Sequence, residues 1–228
     1  MERTESTAAW RRAARWIVAI VMPVFLVLTN VRLLLTNPFV EIEYRTPGFP
    51  ADPYGFSRED RLRWSLLSLD YLLNDSGISF LADLSFADGG PIYNARELRH
   101  MEDVKRVVQA ALRVWVASTS VILVLTLAQL VGGRRRAAVD GLRLGSILTL
   151  ALFGALAIVV AAAFSTLFVE FHLVFFEGDT WLFSYADTLI RLFPERFWRD
   201  AFTFLILATL VEAGLGYWLT RGWMKKRG

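Results

Sequence analysis

Four stretches of the chain are nearly free of charge and long enough to cross a bilayer: residues 14–36, 107–131, 142–171 and 201–220. A hydrocarbon core about 30 Å thick takes roughly 20 helical residues to span. A backbone crossing it as single segments must satisfy its own hydrogen bonds, so those segments must be helices. Composition agrees, since 55% hydrophobic residues, 14% aromatics and a mean hydropathy of +0.42 exceed what the water-facing surface of a 228-residue domain tolerates. The expected class is therefore an α-helical integral membrane protein with four transmembrane helices, and a soluble globule is excluded. The first apolar run is too long for a signal-peptide core and ends in Leu-Leu-Leu-Thr-Asn-Pro, without a small-x-small cleavage site. It is expected to be a retained anchor, kinked near Pro23.

Charge sets the orientation. Arg3, Arg11, Arg12 and Arg15 precede the first span, Arg134, Arg135, Arg136 and Arg143 lie between the second and third, and Arg221, Lys225, Lys226 and Arg227 follow the fourth. Positive flanks stay in the cytoplasm, so both termini are expected there. The segments on the other side hold 16 of the 22 acidic residues. The expected divisions are residues 1–36 (cytoplasmic N-terminus and first span), 37–104 (extracytoplasmic cap), 105–131 (second span), 132–141 (basic cytoplasmic loop), 142–171 (third span), 172–200 (aromatic extracytoplasmic segment) and 201–228 (fourth span and basic tail). The net charge of only +3 gives little basis for nucleic-acid binding. Because the chain has no cysteine, disulfides, thiolate metal sites and a cysteine nucleophile are excluded.

The extracytoplasmic segments predict a small α+β cap. Apolar and charged residues alternate from Val40 to Arg45, which predicts a half-buried strand. After the Pro-rich turns at 47–53, Ser57 opens a predicted helix, with Glu59 and Asp60 in its first turn and Leu62, Leu66, Leu69 and Leu73 on one stripe. Residues 78–86 predict a second short strand, ended by Asp88-Gly89-Gly90-Pro91. Asn94 with Glu97 forms a capping box for a helix that runs straight into the second span. The second outer segment carries Phe171, Phe175, Phe176, Trp181, Phe183, Tyr185, Phe193, Phe197 and Trp198. These suit an interfacial belt, a lipid-facing wall around an active site, or both.

The chain has two histidines, His100 just before the second span and His172 just after the third. Consecutive spans run antiparallel, so both imidazoles emerge on the same face at the same depth. Histidine is the side chain best suited to carry protons near neutral pH, which makes the pair a candidate catalytic centre. Two unrelated interfacial histidines are the structural alternative. Glu97 and Asp103 lie three residues on either side of His100, within reach to orient its ring, and Glu170 precedes His172 by two. Arg113, about two turns inside the second span, is placed to stabilise an oxyanion or bind a headgroup, with snorkelling or pairing to Glu170 as the structural alternative. Arg32 and Asn30 suit snorkelling or capping, and Glu212 suits a structural pair with Arg143 or Arg221.

Tyr93-Asn94-Ala95-Arg96-Glu97-Leu98-Arg99-His100-Met101-Glu102-Asp103-Val104-Lys105, then Glu170-Phe171-His172 and Gly178-Asp179-Thr180-Trp181, resemble the lipoprotein intramolecular transacylase family, Lit. The four-span layout with a long first and a shorter second outer segment is similar too, so the resemblance covers nearly the whole chain. It implies a bacterial cytoplasmic-membrane acyltransferase with its active site at the extracytoplasmic face. The implied substrates are diacylated lipoproteins, whose N-terminal Cys carries a thioether-linked diacylglyceryl group, in a membrane lipid setting. The implied reaction moves the sn-2 acyl chain to the α-amino group of that Cys, giving the lyso form. His100 and His172 would be the catalytic pair, supported by Arg113, Arg96, Glu97, Asp103 and Glu170, with Trp181, Asp179 and Tyr93 walling the substrate.

No cofactor, nucleotide or metal is expected. Two rival readings belong to other classes. One is a non-catalytic membrane scaffold whose acidic cap binds a partner. The other is a metal-dependent enzyme using Glu97, His100, Glu170 and His172, because Glu97-Leu98-Arg99-His100 matches the Glu-x-x-His of di-iron bundles, although a di-iron site needs that motif twice.

Overall fold

The computed structural model describes residues 2–225 and contains eight helices among them: α1 (Glu2–Leu34), α2 (Asn37–Glu43), α3 (Arg58–Leu73), α4 (Ser79–Ala82), α5 (Ala95–Val131), α6 (Arg135–Phe175), α7 (Thr188–Leu192) and α8 (Glu195–Lys225). Four of them, α1, α5, α6 and α8, are long and apolar enough to cross a membrane. They run past the apolar stretches, so that α6 begins at Arg135 and α5 already at Ala95. Ala163 interrupts the regular helix of α6 with φ −148° and ψ 44°. The chain divides into two compact units. One gathers the stretch through Val31, Leu112–Ala161 and the stretch from Phe204, and the other gathers Arg32–Ala111 and Ala162–Thr203.

The first unit consists of helix bodies whose outer faces are apolar and whose inner contacts are small or polar. Ile158 is 71% exposed and Val211 61%, which suits side chains whose solvent is lipid. Asn30, Ser146, Thr149 and Thr209 are fully buried. Asn30 Nδ2 donates to Glu212 Oε2 at 2.8 Å and to Thr209 Oγ1 at 3.1 Å, joining α1 to α8. Glu212 thus meets Asn30, not the expected Arg143 or Arg221. Trp115 Nε1 donates to Thr29 Oγ1 at 3.1 Å and joins α5 to α1. In lipid, association depends on such polar pairs and on small residues that let backbones approach. Gly145 is one of these, since a Cβ there would lie 2.6 Å from Met22 Cβ.

The second unit holds α2, α3, α4, α7, the start of α5, the end of α6 and the start of α8. The expected strand at residues 40–45 is helix α2. Its buried residues are Val40, Glu43 and Tyr44, at helical spacing, while Ile42 is 65% exposed. The alternation that suggests a strand is overridden by tertiary burial and by Pro38, which suits a first helical turn. The second expected strand is the short helix α4, with Ile78, Leu81 and Leu84 facing one core. Only an isolated bridge, Ser85 to Pro91, remains of strand pairing among the described residues, closed by a turn in which Gly89 takes φ +87°. The cap is therefore helical, and the β part of the expected α+β cap is not formed.

Local capping follows the sequence. Asp60 N donates to Ser57 Oγ and Ser57 N to Asp60 Oδ2, each at 3.0 Å, starting α3. Two clusters form the interior. One packs Trp64, Tyr71, Leu81, Ile92, Tyr93, Met101, Leu189 and Leu192, and the other packs Val40, Tyr44, Leu69 and Phe197. The Tyr44 hydroxyl, pushed up to about 12 by burial, stays protonated and donates to Leu192 O at 2.6 Å. Asp52 accepts from Arg191 at 2.9 Å, and the Arg191 guanidinium lies 3.4 Å over the Phe56 ring, which fixes the loop before α3 onto α7.

Two expectations follow. Gly145→Ala should lower stability in detergent by about 1–3 kcal/mol through overpacking against Met22, whereas Gly154→Ala, with nothing within 4 Å of the added Cβ, should be neutral or slightly stabilising. Thermal unfolding of both variants checks this. Burial pushes the Glu43 carboxyl up to about 7, and the neighbouring Asp200 carboxyl adds in the same direction. A folded value raised above the unfolded one means that stability is full below about 4.5 and is lost as pH rises through 7. Glu43→Gln, which keeps a neutral donor beside Asp200, should therefore raise the melting temperature at pH 8 and leave it nearly unchanged at pH 4.

Candidate active site

His100 stands in the second turn of α5 and His172 in the last turn of α6. Their rings stack 6.2 Å apart with planes 17° from parallel, and both residues are more than nine-tenths buried. An aromatic cage holds them. Phe176 lies 4.8 Å from His100 and 5.5 Å from His172, Phe183 lies 5.2 Å from His100, and Phe168 and Trp181 lie 4.3 and 4.9 Å from His172. Helical spacing explains part of the cage, since Phe168 is one turn before His172. The chain then leaves α6 and folds back, bringing Trp181 and Phe183 onto the rings.

The nitrogens of the two rings are used differently. His172 Nδ1 lies 2.7 Å from Phe168 O, and a carbonyl only accepts, so the neutral ring carries its proton on Nδ1 and its lone pair on Nε2. His100 Nδ1 is buried without a protein partner. The pair thus presents a fixed basic nitrogen on one ring and an uncommitted nitrogen on the other.

The remaining candidates divide. Glu97 is 1% exposed, but its oxygens serve the backbone: Oε2 accepts from Asn94 N at 2.8 Å and Oε1 from Leu189 N at 2.7 Å. It therefore anchors the start of α5 to α7 and does not orient the His100 ring. Asn94 Oδ1 accepts from Arg96 N and Glu97 N, completing the expected cap. Arg96 Nη1 donates to Leu182 O at 2.9 Å and holds the loop that carries Trp181. Asp103 pairs with Arg106. Both line a cavity of about 310 Å³ with Val107, Phe175, Phe176 and Glu177, and Phe176 is shared with the imidazole cage. Tyr93 is buried in the cap core, its hydroxyl 2.8 Å from Ser68 Oγ. Glu170 and Asp179 are exposed. Arg113 is exposed on α5 in the first unit, whereas both histidines belong to the second. Among the described residues, no three of His, Asp and Glu gather as a metal site.

Phe168 is a cage residue that sequence reasoning missed. Its position four residues before His172 is the signal that points to it.

A family model described as lipoprotein intramolecular transacylase Lit matches residues 16–198. An uncharacterized protein of Aquifex aeolicus (strain VF5) is 29% identical over 201 residues, covering 88% of this chain and 90% of that protein. The membrane integral lipoprotein intramolecular transacylase Lit from Bacillus cereus is similar in structure, with TM-score 0.69 and 21% identity over 96% of this chain and 98% of that one. A variant of the same protein with a histidine-to-alanine substitution gives TM-score 0.74 at 21% identity, over 99% of this chain and 98% of that one. At that identity the likeness establishes a shared fold.

Proposed function

We propose that this chain, which belongs to the lipoprotein intramolecular transacylase family, moves the sn-2 acyl chain of a diacylglyceryl-modified N-terminal Cys to the α-amino group of the same Cys. Family membership makes the chain an acyltransferase of lipoprotein processing. The observation that carries the specific reaction is the buried imidazole pair, 6.2 Å apart, with one nitrogen of His172 held free as a base.

Proton accounting explains why two imidazoles suit this reaction. The α-amine has an ordinary pKa of about 7.7–8.0 and arrives largely as an ammonium. In becoming an amide it loses two protons. One must reach the departing glycerol oxygen and the other must leave for solvent. One imidazole takes the first proton and frees the amine to attack the ester carbonyl. The second removes the proton from the newly bonded nitrogen while the first returns its own to glycerol. The lone pair held on His172 Nε2 supports a role for it at the attacking nitrogen, which leaves His100 to serve the glycerol oxygen.

Exchanging an ester for an amide is downhill and needs no nucleotide. Donor and acceptor share one molecule, so the protein's further work is orientation, which contributes about 7 kcal/mol or more in favourable cases. The aromatic cage keeps water from competing with the amine for the carbonyl. The basic flanks support cytoplasmic termini in a bacterial membrane, with the imidazoles at the extracytoplasmic face.

The test is conversion of a synthetic diacylated lipopeptide by purified protein, followed by mass spectrometry of the N-terminus. The expected product is the N-acyl, mono-O-acyl peptide, with one proton released per turnover at pH 6. His100→Ala and His172→Ala should each lower the rate by about 100-fold to 10,000-fold without loss of the folded, membrane-inserted state. A wild-type protein that never places an acyl chain on the α-amine overturns the reading, and so do substitutions of both histidines that leave the rate intact.

A further inference from the structure

Two polar groups in the loop that carries Trp181 have no part in proton transfer. Trp181 packs against His172 with ring centroids 4.9 Å apart and planes tilted by 33°, and its Nε1 is buried without a hydrogen-bond partner. The preceding residue, Thr180, has an Oγ1 that is likewise buried and unpartnered. A tryptophan at a membrane surface ordinarily sends its N–H to water or headgroups. Tyr185, four residues on and 81% exposed, fits that belt, whereas a buried indole nitrogen does not. An indole N–H only donates, so Trp181 lacks an acceptor. A buried donor left open in a folded protein calls for an explanation, and a catalytic role is one.

The acyl transfer proposed above, on which this inference rests, brings such an acceptor. When the amine nitrogen bonds to the sn-2 carbonyl carbon, the π pair of the C=O moves onto oxygen and leaves an alkoxide. When the bond from carbon to the glycerol oxygen breaks, that pair returns to form the amide carbonyl, and the glycerol oxygen takes its proton from an imidazole. The carbonyl oxygen gains and loses a full charge within the step. The geometry points to the Trp181 Nε1–H, joined by the hydroxyl of the adjacent residue Thr180, as the oxyanion hole of this enzyme. Trp181 is then a catalytic residue.

Neutral donors suit this position. A cation at this distance from His172 would oppose its protonation by like-charge repulsion. The indole N–H binds the alkoxide without that penalty. Arg96 supports the placement, because its bond to Leu182 O fixes the loop one residue after Trp181.

The experiment uses the full-length protein and the diacylated lipopeptide, with wild-type turnover measured first. If wild type forms no N-acyl product, the transacylase reading itself fails. If wild type is active, Trp181→Phe, which keeps an aromatic ring over His172 but lacks the N–H, should lower kcat by about 100-fold with KM nearly unchanged. A lipopeptide with a thionoester at sn-2, whose sulfur is a weaker hydrogen-bond acceptor, separates this role from packing. Wild type should prefer the ester, and Trp181→Phe should lose most of that preference. Wild-type kcat in Trp181→Phe, or an unchanged ester preference, overturns the assignment. Should Trp181→Phe fail to fold, 3-benzothienylalanine at this position, which replaces only the N–H by sulfur in the same bicycle, decides by the same two readouts. Thr180→Val should lower kcat in the same sense, and an unchanged kcat there removes Thr180 from the hole.

Discussion

The second unit holds a buried carboxylate on which the placement of His100 depends. Glu97 is almost inaccessible to water, and an isolated charge so placed would be strongly unfavourable. It is tolerated because one oxygen accepts the Asn94 N–H at the start of α5 and the other accepts the Leu189 N–H of α7, in charge-assisted hydrogen bonds. The helix that carries His100 is thereby tied at its first turn to a segment 92 residues away. Thr188 Oγ1, bonded to Ile92 O at 2.5 Å, repeats the tie one residue earlier. A histidine near the end of a free helix would fray with it. Here the end is pinned, and the imidazole inherits that rigidity.

In the proposed transfer, rigidity answers a difficulty of competition. Water and the substrate amine are both nucleophiles toward an ester, and water is far more abundant. The rings of Phe168, Phe176, Phe183 and Trp181 pack against the two imidazoles, and both residues are more than nine-tenths buried. The same rings leave the imidazoles few polar neighbours, and the single backbone bond from His172 Nδ1 to Phe168 O then decides which nitrogen is basic. In the proposed transfer, apolar packing disfavours water at the ester, and one hydrogen bond sets which nitrogen of His172 serves as base.

What was legible in the sequence is what depends on local physics. The four spans follow from apolar length, the α3 and α5 starts follow from Ser57 with Asp60 and Asn94 with Glu97, and the meeting of His100 with His172 follows from antiparallel spans. The failures are non-local. Alternation at residues 40–45 reads as a strand, yet Glu43 is drawn inward toward Asp200, far along the chain, and the buried set becomes Val40, Glu43 and Tyr44. Glu97 is close to His100 in sequence, but its partner Leu189 is invisible until the chain has folded. The pairing of Glu212 with Asn30 likewise depends on which helices pack together. Charged and polar residues are the hardest to place, because each has several chemically acceptable partners and only the fold selects one.

The aromatic segment shows how one stretch of sequence serves two solvents. Val174 is 75% exposed and Tyr185 81%, and these side chains suit a lipid or interfacial environment. Phe176, Trp181 and Phe183, drawn from the same stretch, turn onto the imidazoles. No single periodicity separates the two sets, because the chain leaves α6 after Phe175 and turns before α7. An irregular backbone can send neighbouring side chains in opposite directions where a helix would send every third or fourth one the same way. A belt and a cage are therefore compatible readings of these residues. The distinction between them lies in the surroundings of each ring, and an N–H such as that of Trp181 acquires a chemical meaning only on the buried side.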